Sequence, residues 1–365
     1  MEYRKLPHGT EALSVIGLGL GNIHTAPDRE IEQTLNYAME HGVNFFDLCC
    51  GRVGVYEDFG RVVKGRRDRV YTQMHFGAVY PNDTYAFSRD LELMKRTFEQ
   101  VLRAADMDYT DFGFVHCMDE EADFREVMAP GGLFDHMRSL KAQGVLRHLG
   151  VSTHTPAIAR RFLETGEIDL FMFSINPAYD YSKGKYGFGE QEERAALYRQ
   201  AQQMGVGITV MKPFAGGQLL DEKQSPLNLA LSRSQCIQYA LDRPGVLSCL
   251  PGVGSVRDVK EILAFCEADA ETRDYSVLAA AAPSEARGRC VYCNHCAPCP
   301  AGIDIGLVNK YYDLAKVGDN MAADHYGQLS VRADACIGCG HCERRCPFGV
   351  KQTDRMSEIA QYFDK

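Results

Sequence analysis

Short apolar, β-branched runs alternate along the first ~270 residues with stretches whose apolar positions recur every three or four residues, strand and amphipathic helix in turn. The runs fall at 14–20, 44–49, 70–76, 111–117, 147–153, 170–176, 207–212 and 248–253. Behind the first, Ile31, Leu35, Ala38 and Met39 line one helical face, and Gly42 supplies the stop. Behind the third, Leu91, Met94, Phe98, Val101, Leu102 and Ala105 keep the same period. Eight such units demand parallel strands joined by right-handed crossovers, and the closed solution is a (β/α)8 TIM barrel, an α/β fold. Ahead of them, residues 3–6 and 11–14 flank a Pro7-His8-Gly9-Thr10 turn, which predicts a short hairpin closing the barrel bottom.

The alternation stops near Ala268, and a stretch rich in Thr, Asp, Ser and Ala at 271–285 predicts a linker. The chain therefore divides into a barrel over 1–270 and a smaller, mainly helical domain over 271–365, with weak helical period at 303–316 and 319–329. Apolar residues at 45% and charged residues at 24% describe an ordinary globular chain and exclude a disordered one. No apolar run approaches the ~18 residues of a membrane-spanning helix, so no membrane partner is expected. The opening MEYRKLPHGTEAL carries no apolar core of a secretory signal, which makes the cytoplasm the expected compartment. A net charge of −9 argues against a nucleic-acid partner, whose phosphates need clustered Lys and Arg.

Cysteine changes the picture. Of 14, eight fall in two runs, Cys290-Val-Tyr-Cys293-Asn-His-Cys296-Ala-Pro-Cys299-Pro and Cys336-Ile-Gly-Cys339-Gly-His-Cys342-Glu-Arg-Arg-Cys346-Pro. A long chain with its cysteines gathered at one end reads as a metal protein, not as a disulfide scaffold. The second run matches the ferredoxin spacing C-x2-C-x2-C-x3-C-P, and the first differs from it by one spacer residue. Three cysteines at two-residue gaps wrap one cubane, while the fourth, ahead of proline, reaches the other. The expected ligand sets are Cys290, Cys293, Cys296 and Cys346 for one 4Fe–4S cluster, and Cys336, Cys339, Cys342 and Cys299 for the second. Zinc prefers two C-x2-C pairs to two triplets each closed by Cys-Pro, which favours iron–sulfur. His295 and His341 lie inside these loops as bystanders, because each thiolate set is already complete.

Catalytic groups of such a barrel stand at the C-terminal strand ends. Polar residues gather there. Asp47 with Cys49 and Cys50 follows the second strand, His75 the third, and His116 the fourth. Ser152 and His154 follow the fifth, Asn176 and Tyr179 the sixth, and Lys212 the seventh. An acid inside Phe45-Phe46-Asp47-Leu48 must be paired or functional, which makes Asp47 the strongest candidate. A lone strand histidine is more often a satisfied core residue, but several polar groups at one barrel end weigh against that reading. Cys49 and Cys50 read first as small buried hydrophobes and second as a thiol nucleophile or ligand.

The chain resembles the aldo/keto reductases, in the branch with a C-terminal ferredoxin-like domain. The resemblance spans the whole chain. It runs through Ile16-Gly17-Leu18-Gly19, Asn44-Phe45-Phe46-Asp47, Arg67-Asp68-Arg69-Val70, and Asp108-Tyr109-Thr110-Asp111 on to Val115-His116. It continues through His148-Leu149-Gly150-Val151-Ser152, Met211-Lys212-Pro213-Phe214-Ala215-Gly216-Gly217, Leu250-Pro251-Gly252 and both cysteine runs. It implies a tetrad of Asp, Tyr, Lys and His, in which Tyr protonates a carbonyl while NADPH gives hydride. Asp47 and His116 fall on two of those positions. His75 stands where Lys is expected, and Arg52 and Val53 stand where Tyr is expected, with Tyr56 the nearest tyrosine. The resemblance therefore implies an altered tetrad: Asp47 and His75 as an acid–base pair, His116 as a second imidazole, and Tyr56 brought in by a rearranged loop. The same Asp47, His75 and His116 also compose a two-His, one-carboxylate set suited to non-haem iron or zinc. By resemblance NADP(H) is a candidate cofactor, held by Gly21, Asn22, Ser152, His154, Asn176, Lys212, Gly254, Ser255 and Arg257, with the last barrel helix offering a phosphate seat.

Three functions stay open at this point. The first is an oxidoreductase whose two 4Fe–4S clusters pass single electrons between a ferredoxin- or flavodoxin-like carrier and a small-molecule substrate at the barrel mouth. The second is an NADP(H)-dependent carbonyl reductase with structural clusters. The third is a non-catalytic electron-transfer or partner-binding protein, against which the retained Asp47 and His116 speak.

Overall fold

The computed structural model describes residues 1–281, 287–316 and 320–364. At the start, β1 (Tyr3–Lys5) and β2 (Ala12–Ser14) pair antiparallel, with Tyr3 opposite Ser14. Leu6 and Leu13 of this hairpin are fully buried in one cluster with Phe45, Phe112, Leu170 and Leu247, so the hairpin plugs the barrel bottom.

The barrel begins with β3 (Leu18–Gly19), β4 (Phe45–Leu48) and β5 (Tyr71–Phe76). A small antiparallel hairpin, β6 (Ala78–Val79) and β7 (Ala86–Phe87), interrupts it. Then come β8 (Thr110–Val115), β9 (Leu146–Thr153), β10 (Leu170–Ser174), β11 (Gly207–Met211) and β12 (Val246–Cys249). In space the order is β12-β11-β10-β9-β8-β5-β4-β3, and parallel bridges from Ile16 to Cys249 and from Gly19 to Gly252 close the ring. The helix Asp28–Glu40 buries Ile31, Thr34, Leu35 and Ala38, and ends where Gly42 takes a φ of +88°, a conformation any side chain would resist. The helix Leu91–Ala104 starts on Asp90, whose carboxylate accepts from the Leu93 N–H at 2.6 Å.

Two departures from the sequence expectation matter. The last strand ends at Cys249, earlier than the run at 248–253 suggests, because Pro251 has no N–H with which to continue the ladder. The β6–β7 hairpin was not foreseen: two-residue strands are too short to display alternation. It places Tyr80 and Tyr85 above the C-terminal ends of the strands.

The stretch expected as a linker is packed as far as residue 281; residues 282–286 of it lie outside the described residues. Tyr275 is fully buried, and its hydroxyl donates to Asp242 Oδ2 at 2.7 Å. Arg243 donates to Tyr275 Oη at 3.1 Å and to the Val291 carbonyl at 2.5 Å. Helices Ile305–Lys316 and Gln352–Phe363 contribute to a small second core through Val308, Tyr312, Met356 and Ile359. Val291, Phe348 and Val350 join the barrel's own core instead, which seats the cysteine-rich part on the barrel.

Candidate active site and cluster cavities

Register brings Asp47 of β4 beside Gln73 of β5, two residues before His75. His75 Nε2 lies 2.7 Å from Asp47 Oδ1, and Gln73 donates to the same oxygen at 3.0 Å. A carboxylate only accepts, so His75 Nε2 carries the hydrogen and Nδ1 is left as an acceptor. His116, one residue past β8, has its Nδ1 3.1 Å from His75 Nδ1 and is therefore the donor of that pair. Its Nε2 then accepts from the Tyr85 hydroxyl at 2.7 Å. The result is one unbroken row, Tyr85 to His116 to His75 to Asp47, in which each group donates to the next. Burial, reinforced by His75, holds His116 well below the ordinary imidazole range, which keeps the neutral form the row requires.

Tyr56 stands outside this row. It is 1% exposed on the helix Gly54–Val63, donates to the Leu48 carbonyl at 2.6 Å and pairs with Tyr80 Oη at 2.8 Å. Burial pushes its phenol well up. Tyr85, which the sequence reading missed, is the tyrosine that meets the histidines. Nor do Asp47, His75 and His116 aim three free donors at one metal, because both ring nitrogens of His75 are engaged within the row. Cys49 Sγ lies 4.0 Å from His116 Nδ1, and burial pushes the Cys49 and Cys50 thiols well up, away from nucleophilic thiolate.

A second row faces the first. Lys212 Nζ lies 2.8 Å from His154 Nε2, and His154 Nδ1 donates to Asp119 Oδ2 at 2.9 Å. Asp119 also accepts from the His154 backbone N–H at 2.6 Å and from Thr153 Oγ1 at 3.0 Å. Burial alone would raise this carboxyl, but the bonds from His154 hold it well below the usual carboxylate range. Cys117, Asp119 and His154 offer donor atoms within 4.8 Å of one another, the one such metal-capable group among the described residues. Asp119 had no signal in the sequence: it sits in a loop without period.

The residues expected to hold a dinucleotide are largely engaged within the chain. Ser152 Oγ accepts from the Cys117 N–H at 2.8 Å, and fully buried Asn176 donates to the Lys212 carbonyl at 2.9 Å. Asn22 lies against Gly252, and Gly21 against the Cys49 carbonyl. At the start of the helix Val256–Leu263, Asp258 Oδ2 accepts from the Gly254 N–H at 2.8 Å and from Ser255 Oγ at 3.1 Å. Arg257 pairs with Glu261 at 2.8 Å. A carboxylate thus holds the donors of the expected phosphate seat, and the cation beside it is neutralised. As arranged, this helix end does not fit a phosphate.

The cysteine runs line two cavities. Cys290, Cys293, Cys296 and Cys346 surround one, with Phe348 and Val350 of the barrel-side core. Cys299, Cys336, Cys339 and Cys342 surround the other, with Ile303 and Met356. Each cavity thus draws three cysteines from one run and the Cys-Pro cysteine from the other, the grouping the spacing implies. One tetrahedral zinc would hold its sulfurs about 3.8 Å apart. Among the described residues no three of these thiols come within 4.8 Å of one another. Four sulfurs spread around a cavity fit a cubane and do not fit a single zinc ion. Burial pushes these thiols up, Cys290 to about 12 and Cys293 to about 11, so a bound cation is what would keep them as thiolates.

Residues 15–235 match the aldo/keto reductase family and residues 289–351 match a 4Fe–4S dicluster domain. The chain belongs to the aldo/keto reductase family: it is an oxidoreductase barrel carrying a C-terminal 4Fe–4S domain. Among solved structures it is similar to a holo-form aldo-keto reductase from Bacillus halodurans, with TM-score 0.61 and 21% identity over 75% of this chain and 94% of that one. It is also similar to an aldo-keto reductase from Klebsiella pneumoniae in complex with NADPH, with TM-score 0.53 and 19% identity over 73% and 91%. No curated protein shows significant similarity to the sequence. No helix among the described residues is long and apolar enough to cross a membrane.

Proposed function

We propose that the barrel mouth carries out redox chemistry on a small molecule with electrons passed singly through two 4Fe–4S clusters from a ferredoxin- or flavodoxin-like carrier. The observation that carries this reading is the seating of the cluster domain: one four-cysteine cavity borders the barrel's own core, whereas Cys339 of the other is exposed. Cys290, Cys293, Cys296 and Cys346 would hold the inner cluster, and Cys299, Cys336, Cys339 and Cys342 the outer one. When bound, such clusters supply one-electron transfer. The chain's own residues supply the protons. The Tyr85 hydroxyl is the rim end of the row: it takes a proton from a substrate hydroxyl as its own passes to His116 Nε2, with His75 and Asp47 stabilising the imidazolium that develops, and the reverse transfer, from that imidazolium through Tyr85 to a substrate oxygen, serves reduction.

The Klebsiella relative's NADPH motivates a second reading, carbonyl reduction by NADP(H). Asp258 in the expected phosphate seat disfavours it. Anaerobic titration separates the two. Reduced ferredoxin is expected to bleach the visible cluster absorption. NADPH that binds and drives carbonyl turnover without bleaching would establish the second reading in its place.

A further inference from the structure

We propose that Lys212 is the seat for an anionic group of the substrate, so that the mouth takes a small carboxylate bearing the carbonyl or hydroxyl on which the proton row acts. This rests on the mouth being the reaction site, as argued above. The polar partners of Lys212 Nζ among the described residues are an imidazole nitrogen, His154 Nε2 at 2.8 Å, and the Met211 sulfur at 3.6 Å; none is a carboxylate. Its ammonium also lies 4.5 Å from the centre of the Tyr186 ring, and Lys185 Nζ lies 5.5 Å from the same ring. Two cations thus lie against one aromatic ring in a chain whose net charge is −9. A largely buried ammonium with no carboxylate in direct contact, its nearest one, Asp119, held off behind His154, is unfavourable, and an anion from outside the chain is the group that relieves it.

The surroundings hold Lys212 for that role. Its backbone has a φ of +53°, a conformation that side chains resist, and Asn176 fixes the carbonyl there. Asp119 orients His154, and His154 orients the ammonium. Cys117, the residue after His116, has its Sγ within 4.8 Å of a ring nitrogen of His154 and a carboxylate oxygen of Asp119, so the second row begins one residue along the chain from the first. A substrate anchored at Lys212 by its carboxylate can therefore turn its oxygen toward Tyr85 and His116. A phosphate would want several backbone N–H donors, and the Cys117 N–H nearby is engaged by Ser152.

The test is calorimetric binding to the anaerobically purified full chain, with pyruvate and lactate as probes and lactamide as the neutral isostere. Wild type is expected to bind both carboxylates and to disfavour lactamide by about 10–100-fold, the worth of one charge-assisted bond. Lys212→Gln should lose that discrimination and Lys212→Arg should keep most of it, both with native circular dichroism. His75→Gln should bind pyruvate as wild type does while its turnover falls. Equal affinity for lactate and lactamide, no carboxylate binding at all, or unchanged pyruvate affinity in Lys212→Gln would overturn the proposal. Inorganic phosphate binding more tightly than either carboxylate would overturn it in favour of a phosphate seat. If instead Lys212-dependent binding holds while His75→Gln turns over normally, the proton row is the part that fails.

Discussion

Replacing His75 by Gln cuts the proton row at its centre. In the wild type, His75 donates to Asp47 at 2.7 Å and accepts from His116 at 3.1 Å, with its side chain almost fully buried. The variant leaves Asp47 with the side bond from Gln73 at 3.0 Å, from outside the row. A hydrogen bond to a charged group contributes about 1.5–3 kcal/mol and one between neutral groups about 0.5–1.5 kcal/mol. The expected loss of stability is therefore about 2–4 kcal/mol, tolerable within the ~5–15 kcal/mol of a folded domain. The expected loss of turnover is about 10²–10⁴-fold, the usual worth of a positioned acid–base group. Tyr85→Phe should lower turnover to a similar degree at little cost in stability, because Tyr85 is 40% exposed. Tyr56→Phe should show the reverse pattern. It leaves the buried Leu48 carbonyl without its tyrosine donor, costing about 1–3 kcal/mol, while turnover stays within a few-fold. His75→Lys should be inactive, since an ammonium has no acceptor to offer His116. Anaerobic turnover and thermal unfolding, measured on the same preparations, decide the matter. Turnover abolished by Tyr56→Phe but untouched by His75→Gln and Tyr85→Phe would show that the row is not the proton path.

The cysteine grouping predicts about eight iron and eight sulfide per chain, falling toward four iron in Cys299→Ser and in Cys346→Ser, each read by metal analysis and sulfide release; stoichiometric zinc in the wild type would refute the grouping. His116 gives a pH dependence. Its pKa is lower folded than unfolded, so the unfolded chain takes up the proton first as pH falls. Its contribution is full above about pH 6.5 and shrinks below that value. Denaturant titrations from pH 8 to pH 5 should show a loss of stability on the acid side that is reduced in His116→Gln; an unchanged profile would contradict the burial argument.

What could be read from the sequence follows physical range. The barrel was legible because each strand and each helix carries its own period, and the hairpin because Pro7-His8-Gly9-Thr10 is a local turn. The cysteine sets were legible because a cubane's reach is written into two- and three-residue gaps. The sites that escaped depend on partners far apart in the chain. Tyr85 reaches His116 across 31 positions, from a hairpin with two-residue strands. Asp119 reaches His154 across 35, from a loop. At the expected phosphate seat the local pattern carries two meanings: Gly254-Ser255 looks like an anion site, while Asp258, three residues past Ser255, bonds the Gly254 N–H and the Ser255 hydroxyl with the chain's own carboxylate.

The displaced tyrosine and the histidine at position 75 are two parts of one change. A lysine beside Asp47 can only donate, so a tyrosine working with it must stand close enough to receive that donation directly. A histidine accepts as well as donates, and it passes the polarity set by Asp47 through Nδ1 to the next ring. His116 is that ring, and its outward Nε2 is again an acceptor. The position that then needs a hydroxyl is beyond His116, at the rim, which is where Tyr85 stands. With the row extended outward, a tyrosine beside Asp47 would compete with His75 for the same carboxylate oxygen. Tyr56 is accordingly turned away to the Leu48 carbonyl. Restoring lysine at position 75 without moving the tyrosine back would break the row and rebuild nothing, and the same argument makes Tyr85 indispensable only while position 75 is histidine.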